Sequence, residues 1–158
     1  MNVDVIKKQI AIHLDGGKAF IPIQNLITEI SYDKLGIRPH NLPYSIYELF
    51  YHIVFAQKDI LDYSNSKDYS AANWPKDYWP EKQKPDNEKE WEDLKAQFFR
   101  DKESLKTFFT SEENALDDVV LNSTEHTIIR QVMLVIEHNA YHTGQLLLLC
   151  RLLEIHDN

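Results

Sequence analysis

The stretch Glu137-His138-Asn139-Ala140-Tyr141-His142-Thr143-Gly144-Gln145 sits inside the apolar run from Ile128 to Leu153. No Gly or Pro precedes Gly144 there, and apolar residues recur at helical spacing, so the run reads as one long helix. Residues four apart lie on one face, a turn above each other. His138 and His142 therefore project together from a stripe that is otherwise Ile128, Val132, Val135, Leu146, Leu149 and Leu153. Imidazoles on a core-facing stripe need partners, because burying a polar group without one costs about 1–3 kcal/mol. A divalent metal is one partner that satisfies both, and it takes histidine in its neutral form.

A second stripe carries another histidine. Ser45 and Glu48 have the spacing of a capping box, flanked by Tyr44 and Leu49 in staple positions, and so open a helix. Its apolar positions Leu49, Ile53, Ala56 and Ile60 enclose His52. Upstream, Val5, Ile6, Ile10 and Leu14 share a face. Asp15-Gly16-Gly17 then interrupts, and Ile23, Leu26, Ile27 and Ile30 resume the spacing. Residues 4–30 read as one broken helix or two short ones. Downstream, Asp86 is the expected N-cap of a helix whose buried side is Trp91, Leu94, Phe98, Leu105 and Phe108/Phe109. Between them, residues 64–85 hold Trp74-Pro75, Trp79-Pro80 and Pro85, a rigid loop that is either a wall over a pocket or a plug for the bundle end. The Val119-Val120-Leu121 patch is a short turn of helix or an extended piece.

With only 4 Gly in 158 residues and little strand-like alternation, the expected fold is all-α. Four striped segments near 4–30, 45–63, 87–109 and 126–154 predict a four-helix bundle within a single domain, 1–158. The long 64–86 connection is able to cross the bundle, giving an up-down-down-up order. Lys+Arg 17 against Asp+Glu 25 gives a formal net charge of −8, which disfavours a nucleic-acid partner. The lone Cys150 leaves no intrachain disulfide and suits a reducing compartment. Charges at Asp4, Lys7 and Lys8 argue against a signal peptide, and the Leu146–Cys150 run is too short to span a bilayer. A cytoplasmic protein without a membrane partner is expected.

His52 within Ser45-Ile46-Tyr47-Glu48-Leu49-Phe50-Tyr51-His52, followed by His138-Asn139-Ala140-Tyr141-His142-Thr143-Gly144-Gln145, resembles the DinB-like (DinB/YfiT) four-helix-bundle metalloproteins over essentially the whole chain. The resemblance implies that His52, His138 and His142 form a three-histidine site for a divalent metal between helices. Zinc and nickel both accept imidazole. It further implies a metal-dependent hydrolase, or a transferase activating a low-molecular-weight thiol on a small-molecule substrate. The other class is a non-catalytic stress-response or binding protein with a structural or vestigial metal. A homodimer is expected, with Phe50, Tyr51 and Tyr141 as exposed aromatics.

Neighbouring residues have their own readings. Gln145 is placed to orient an imidazole or a water. Glu48 serves the capping box rather than His52, and Glu137 is solvated. Tyr141 fits an interface or a pocket equally. Gly144 suggests a close helix approach. His13, His40, His126 and His156 read as surface or loop residues, and no general base is identified.

Overall fold

A computed structural model describes residues 2–157. Its α-helices are α1 (Val3–Leu14), α2 (Ile23–Glu29), α3 (Ile46–Asn65), α4 (Glu88–Thr110) and α5 (Ile128–Leu152), with short 3₁₀ turns in the connections. The amino-terminal stretch is thus two helices. Gly16 and Gly17 adopt φ of 74° and 78°, which glycine tolerates and which stops α1. A Cβ on Gly17 would also lie 2.7 Å from the Pro22 ring, so the corner is closed to larger residues.

Each long helix starts on a side-chain cap. Ser45 accepts the Glu48 amide while the Glu48 carboxylate receives the Ser45 amide, completing the capping box. Thr127 caps α5. For α4 the cap is Asn87, not Asp86: Asn87 Oδ1 accepts the Glu90 amide at 3.0 Å. The Asp86 carboxylate is drawn instead to Lys82, at 2.8 Å.

α1, α3, α4 and α5 pack as a helix bundle, with α2 laid against α5. Tyr47 bonds Glu90 and Gln57 bonds Phe98, so α3 and α4 run the same way. Tyr63 meets His126 and His52 meets His142, so α5 runs against α3. Lys7 reaches Ser111 and Asn114 while Asp15 meets Lys102, so α1 runs against α4. Lys7 is buried because its ammonium satisfies carbonyls at the end of α4. The inward face of α1 is accordingly Lys7, Ile10 and Leu14, and Val5 turns outward.

The interior divides into two apolar clusters. One gathers Leu49, Phe50, Ile53, Trp91, Phe98 and Leu146; the other gathers Ile60, Leu105, Phe109, Val132 and Val135. Between them lies a polar layer. Gln57 donates to the Phe98 carbonyl at 2.8 Å and accepts from Asn139 at 3.3 Å. The break in the α5 stripe at residues 138–143 falls at this level, which is why histidines are tolerated there.

Three expectations are corrected by the packing. Phe50 is 0% exposed, because α3 is covered by α4 as well as α5; its ring meets Trp91 at 5.1 Å and Phe98 at 5.5 Å. Phe108 is only partly buried, and Phe109 takes the inward place. Gly144 makes no close helix approach: a Cβ there would meet nothing within 4 Å. Gly144→Ala is therefore expected to stabilise the protein by about 0.5–1 kcal/mol, since Ala favours an exposed helix interior. Urea unfolding checks this, and a loss of stability would refute it.

The 111–127 connection contains an extended piece rather than a turn of helix. Val120 donates to the His126 carbonyl at 2.9 Å beside an antiparallel bridge between Val119 and Thr127, and buries its side chain. Among the described residues no helix is long and apolar enough to cross a membrane.

One buried carboxylate works against the fold. Asp101 Oδ2 has no hydrogen-bond partner among the described residues, and burial holds the carboxyl above its usual range despite Lys58 nearby. A pKa raised on folding means that the folded state binds the proton more tightly. The resulting penalty is full at neutral pH and is relieved as pH falls through the folded value. Asp101→Asn is expected to raise the thermal midpoint at pH 7, with the gain shrinking toward pH 3. A gain independent of pH would point to another cause.

Candidate metal centre

The three histidines come together at the polar layer. α3 supplies His52, and one turn of α5 supplies His138 and His142. His52 Nε2 lies 3.1 Å from His142 Nε2 and 3.1 Å from His138 Nε2. One atom from each residue lies within 4.8 Å of the others, a cluster able to hold a metal ion.

The outer ring nitrogens decide the tautomers. His52 Nδ1 faces the Tyr78 carbonyl at 3.2 Å, and His142 Nδ1 faces Gln145 Oε1 at 2.6 Å. Both oxygens only accept, so both Nδ1 atoms carry the proton. Their Nε2 lone pairs then point at each other with no proton to share. Facing lone pairs at this distance repel unless a cation lies between them. Burial first, and then the neighbouring imidazoles, push His52 and His138 down to about 4, and burial lowers His142 as well. The neutral ligand form is therefore the one present near pH 7.

A tetrahedral ion about 2.0–2.1 Å from each nitrogen would set the nitrogens about 3.3 Å apart. The observed 3.1 Å separations approach this, so the residues fit a divalent ion. His138 Nδ1 is buried without a hydrogen-bond partner among the described residues, so no hydrogen bond at that atom sets the tautomer of the ring.

The loop between α3 and α4 forms a wall of this site rather than a distant plug. Trp79 stacks flat on His52, with centroids 4.4 Å apart and planes within 4°. Trp74 stands edge-on to Tyr78 at 5.0 Å and lines the cleft with it. The cleft measures about 240 Å³ and is completed by Ala56, Asp59, Ile60 and Leu134 beside the histidines.

Gln145 orients His142 as anticipated and also donates to the Tyr141 hydroxyl at 3.3 Å. Tyr141 is 64% exposed, yet its ring abuts His142 at 4.8 Å, so it stands at the rim of the site. Glu48 is engaged by Arg38 and the Ser45 amide and does not reach His52. Glu137 is exposed. His13 and His40 are exposed, His126 bonds Tyr63, and His156 pairs with Glu29, all outside the cluster.

Sequence reasoning missed Asp59 and Tyr78. Asp59 lies seven residues after His52, two turns along the same face, and that spacing was a usable signal. Tyr78 had none, because its loop reaches the cleft only through folding.

Residues 23–146 match the family model described as the DinB superfamily, a span holding all three histidines and most of the bundle. No curated protein and no solved structure matches the chain significantly.

Proposed function

The chain belongs to the DinB superfamily, and on that premise we propose that it is a divalent-metal-dependent enzyme. It would act as a hydrolase or as a transferase that uses a low-molecular-weight thiol. The observation that carries this reading is the convergence of three imidazoles at the side of a cleft, with His52 Nε2 lying 3.1 Å from the Nε2 of both His138 and His142. His52, His138 and His142 are the ligands in this reading. A set of three protein nitrogens leaves a coordination position free, which is how catalytic sites differ from closed structural ones. A zinc or nickel ion held there would acidify a bound water or thiol and polarise a substrate carbonyl.

The chain's own residues supply the rest. Tyr78 and Gln145 fix two imidazoles by their outer nitrogens, as such partners do in metal sites. Trp79 covers one face of the His52 ring, and Trp74 lines the cleft beside the cluster. The small substrate enters the apolar part of the cleft along Ala56, Ile60 and Leu134. A single domain spanning 1–158, a cytoplasmic location, no nucleic-acid partner and a homodimer belong to the same reading. The dimer is supported by Met133, Tyr141 and Leu148, exposed along the outside of α5.

Elemental analysis of untagged protein, followed by assays of hydrolysis and thiol transfer with and without chelator, tests the proposal. One divalent ion per chain, and an activity lost to chelator and restored by metal, are expected. A protein that takes up no divalent ion, or an activity indifferent to chelator, would count against it.

A further inference from the structure

The cleft does not end at the imidazoles. It continues along α3 to Asp59. Seven residues at 1.5 Å each place Asp59 about 10 Å beyond His52 along the helix axis. Its half-buried carboxylate is held at both oxygens: the Tyr78 hydroxyl donates to Oδ2 at 2.7 Å and the Tyr69 hydroxyl to Oδ1 at 3.2 Å. Burial, and then the facing carboxylate, raise both phenols, Tyr69 to about 12, so they remain donors.

A carboxylate offers about four acceptor sites, and the two phenols use two of them. Tyr78 spans the cleft, its carbonyl on His52 and its hydroxyl on Asp59. Asp59 brings the sole carboxylate among the side chains lining the cleft. The remaining walls are Ala56, Ile60 and Leu134 with the rings of Trp74 and Tyr78. An anionic tail reaching that far end would meet the carboxylate with no lysine or arginine side chain beside it in the lining. A cationic tail would gain the carboxylate and the aromatic faces together.

We propose that Asp59 determines specificity in this cleft by receiving a protonated amine at one end of a small molecule. The other end of that molecule delivers its reactive sulfur or oxygen to the three-histidine centre. The inference rests on the metal-centred reading above for its second half only.

The test uses cobalt-substituted protein titrated with ω-aminoalkanethiols of increasing length, against ω-hydroxyalkanethiols as neutral controls, reading the thiolate-to-cobalt absorption band. At the best length the aminothiol is expected to bind about tenfold more tightly, in keeping with a charge-assisted hydrogen bond. Asp59→Asn should bring that ratio close to one while leaving the cobalt spectrum of the thiol-free protein unchanged. Asp59→Glu, which advances the carboxylate by one methylene, should keep the preference and shorten the best chain by about one carbon. A merely structural role would not shift that optimum. A ratio near one in the native protein, a ratio that survives Asp59→Asn, or an optimum unmoved in Asp59→Glu would each overturn the proposal.

Failure of the metal reading has its own signature: no thiol perturbs the cobalt spectrum at all. In that event, calorimetry with butylammonium against butanol on the protein as purified still decides the role of Asp59. A preference for the cation that Asp59→Asn abolishes supports it, and no preference overturns it.

Discussion

His52→Ala is expected to empty the metal centre. His138 and His142 are held one turn apart by α5, but two ligands on one helix leave the ion half-held, and His52 is what α3 contributes. Losing an outer partner of a ligand already costs about 10–100-fold in metal affinity, so losing a ligand should exceed about 100-fold. His138→Ala and His142→Ala should behave alike. His13→Ala and His156→Ala should leave metal content unchanged, since His13 bonds the Gln9 carbonyl of its own helix and His156 pairs with Glu29, both outside the cluster. Metal content after dialysis against a weak chelator is the measurement. Full occupancy in His52→Ala would remove the three-ligand site, and the case for an open catalytic centre would go with it.

The metal-site variants should still fold, because the surrounding core is apolar and independent of the ion. Phe50→Ala is the opposite case, with a loss of about 3–5 kcal/mol in stability and little change in metal affinity for the fraction that stays folded. Its ring is fully buried between α3 and α4, against Trp91 and Phe98, and truncation leaves a cavity those rings cannot fill. A surface aromatic, as the periodicity of α3 suggested for Phe50, would cost within about 0.5 kcal/mol. Chemical denaturation separates the two outcomes, and a small loss would mean that the packing of α3 on α4 is not as described.

The contrast between these residues shows what kind of information the chain carried openly. Helix existence was legible because capping and periodicity are local: Ser45 with Glu48 opens α3, and the Ile128–Leu153 stripe is buried as spaced. The pairing of His138 with His142 was legible for the same reason, since helical geometry fixes residues four apart. His52 stood out as a polar residue on an apolar stripe, although only the resemblance joined it to the other two.

What the tertiary structure decided is everything that depends on which neighbour covers which face. Periodicity tells that a face is apolar, not that a second helix also covers the flank, so Phe50 was misplaced and Val5 was set inward. It gave no sign that Trp79 would lie flat on His52, or that Tyr78 would bind His52 through its carbonyl and Asp59 through its hydroxyl. Those contacts join residues 19 to 27 positions apart through an irregular loop, and irregular backbone has no repeat from which a direction can be read. The sequence alone therefore determined the helices and the candidate ligands. The approach of His52 to within 3.1 Å of both His138 and His142, and the walls and far end of the cleft beside them, were set by the antiparallel packing of α5 on α3 and by the loop folded over both.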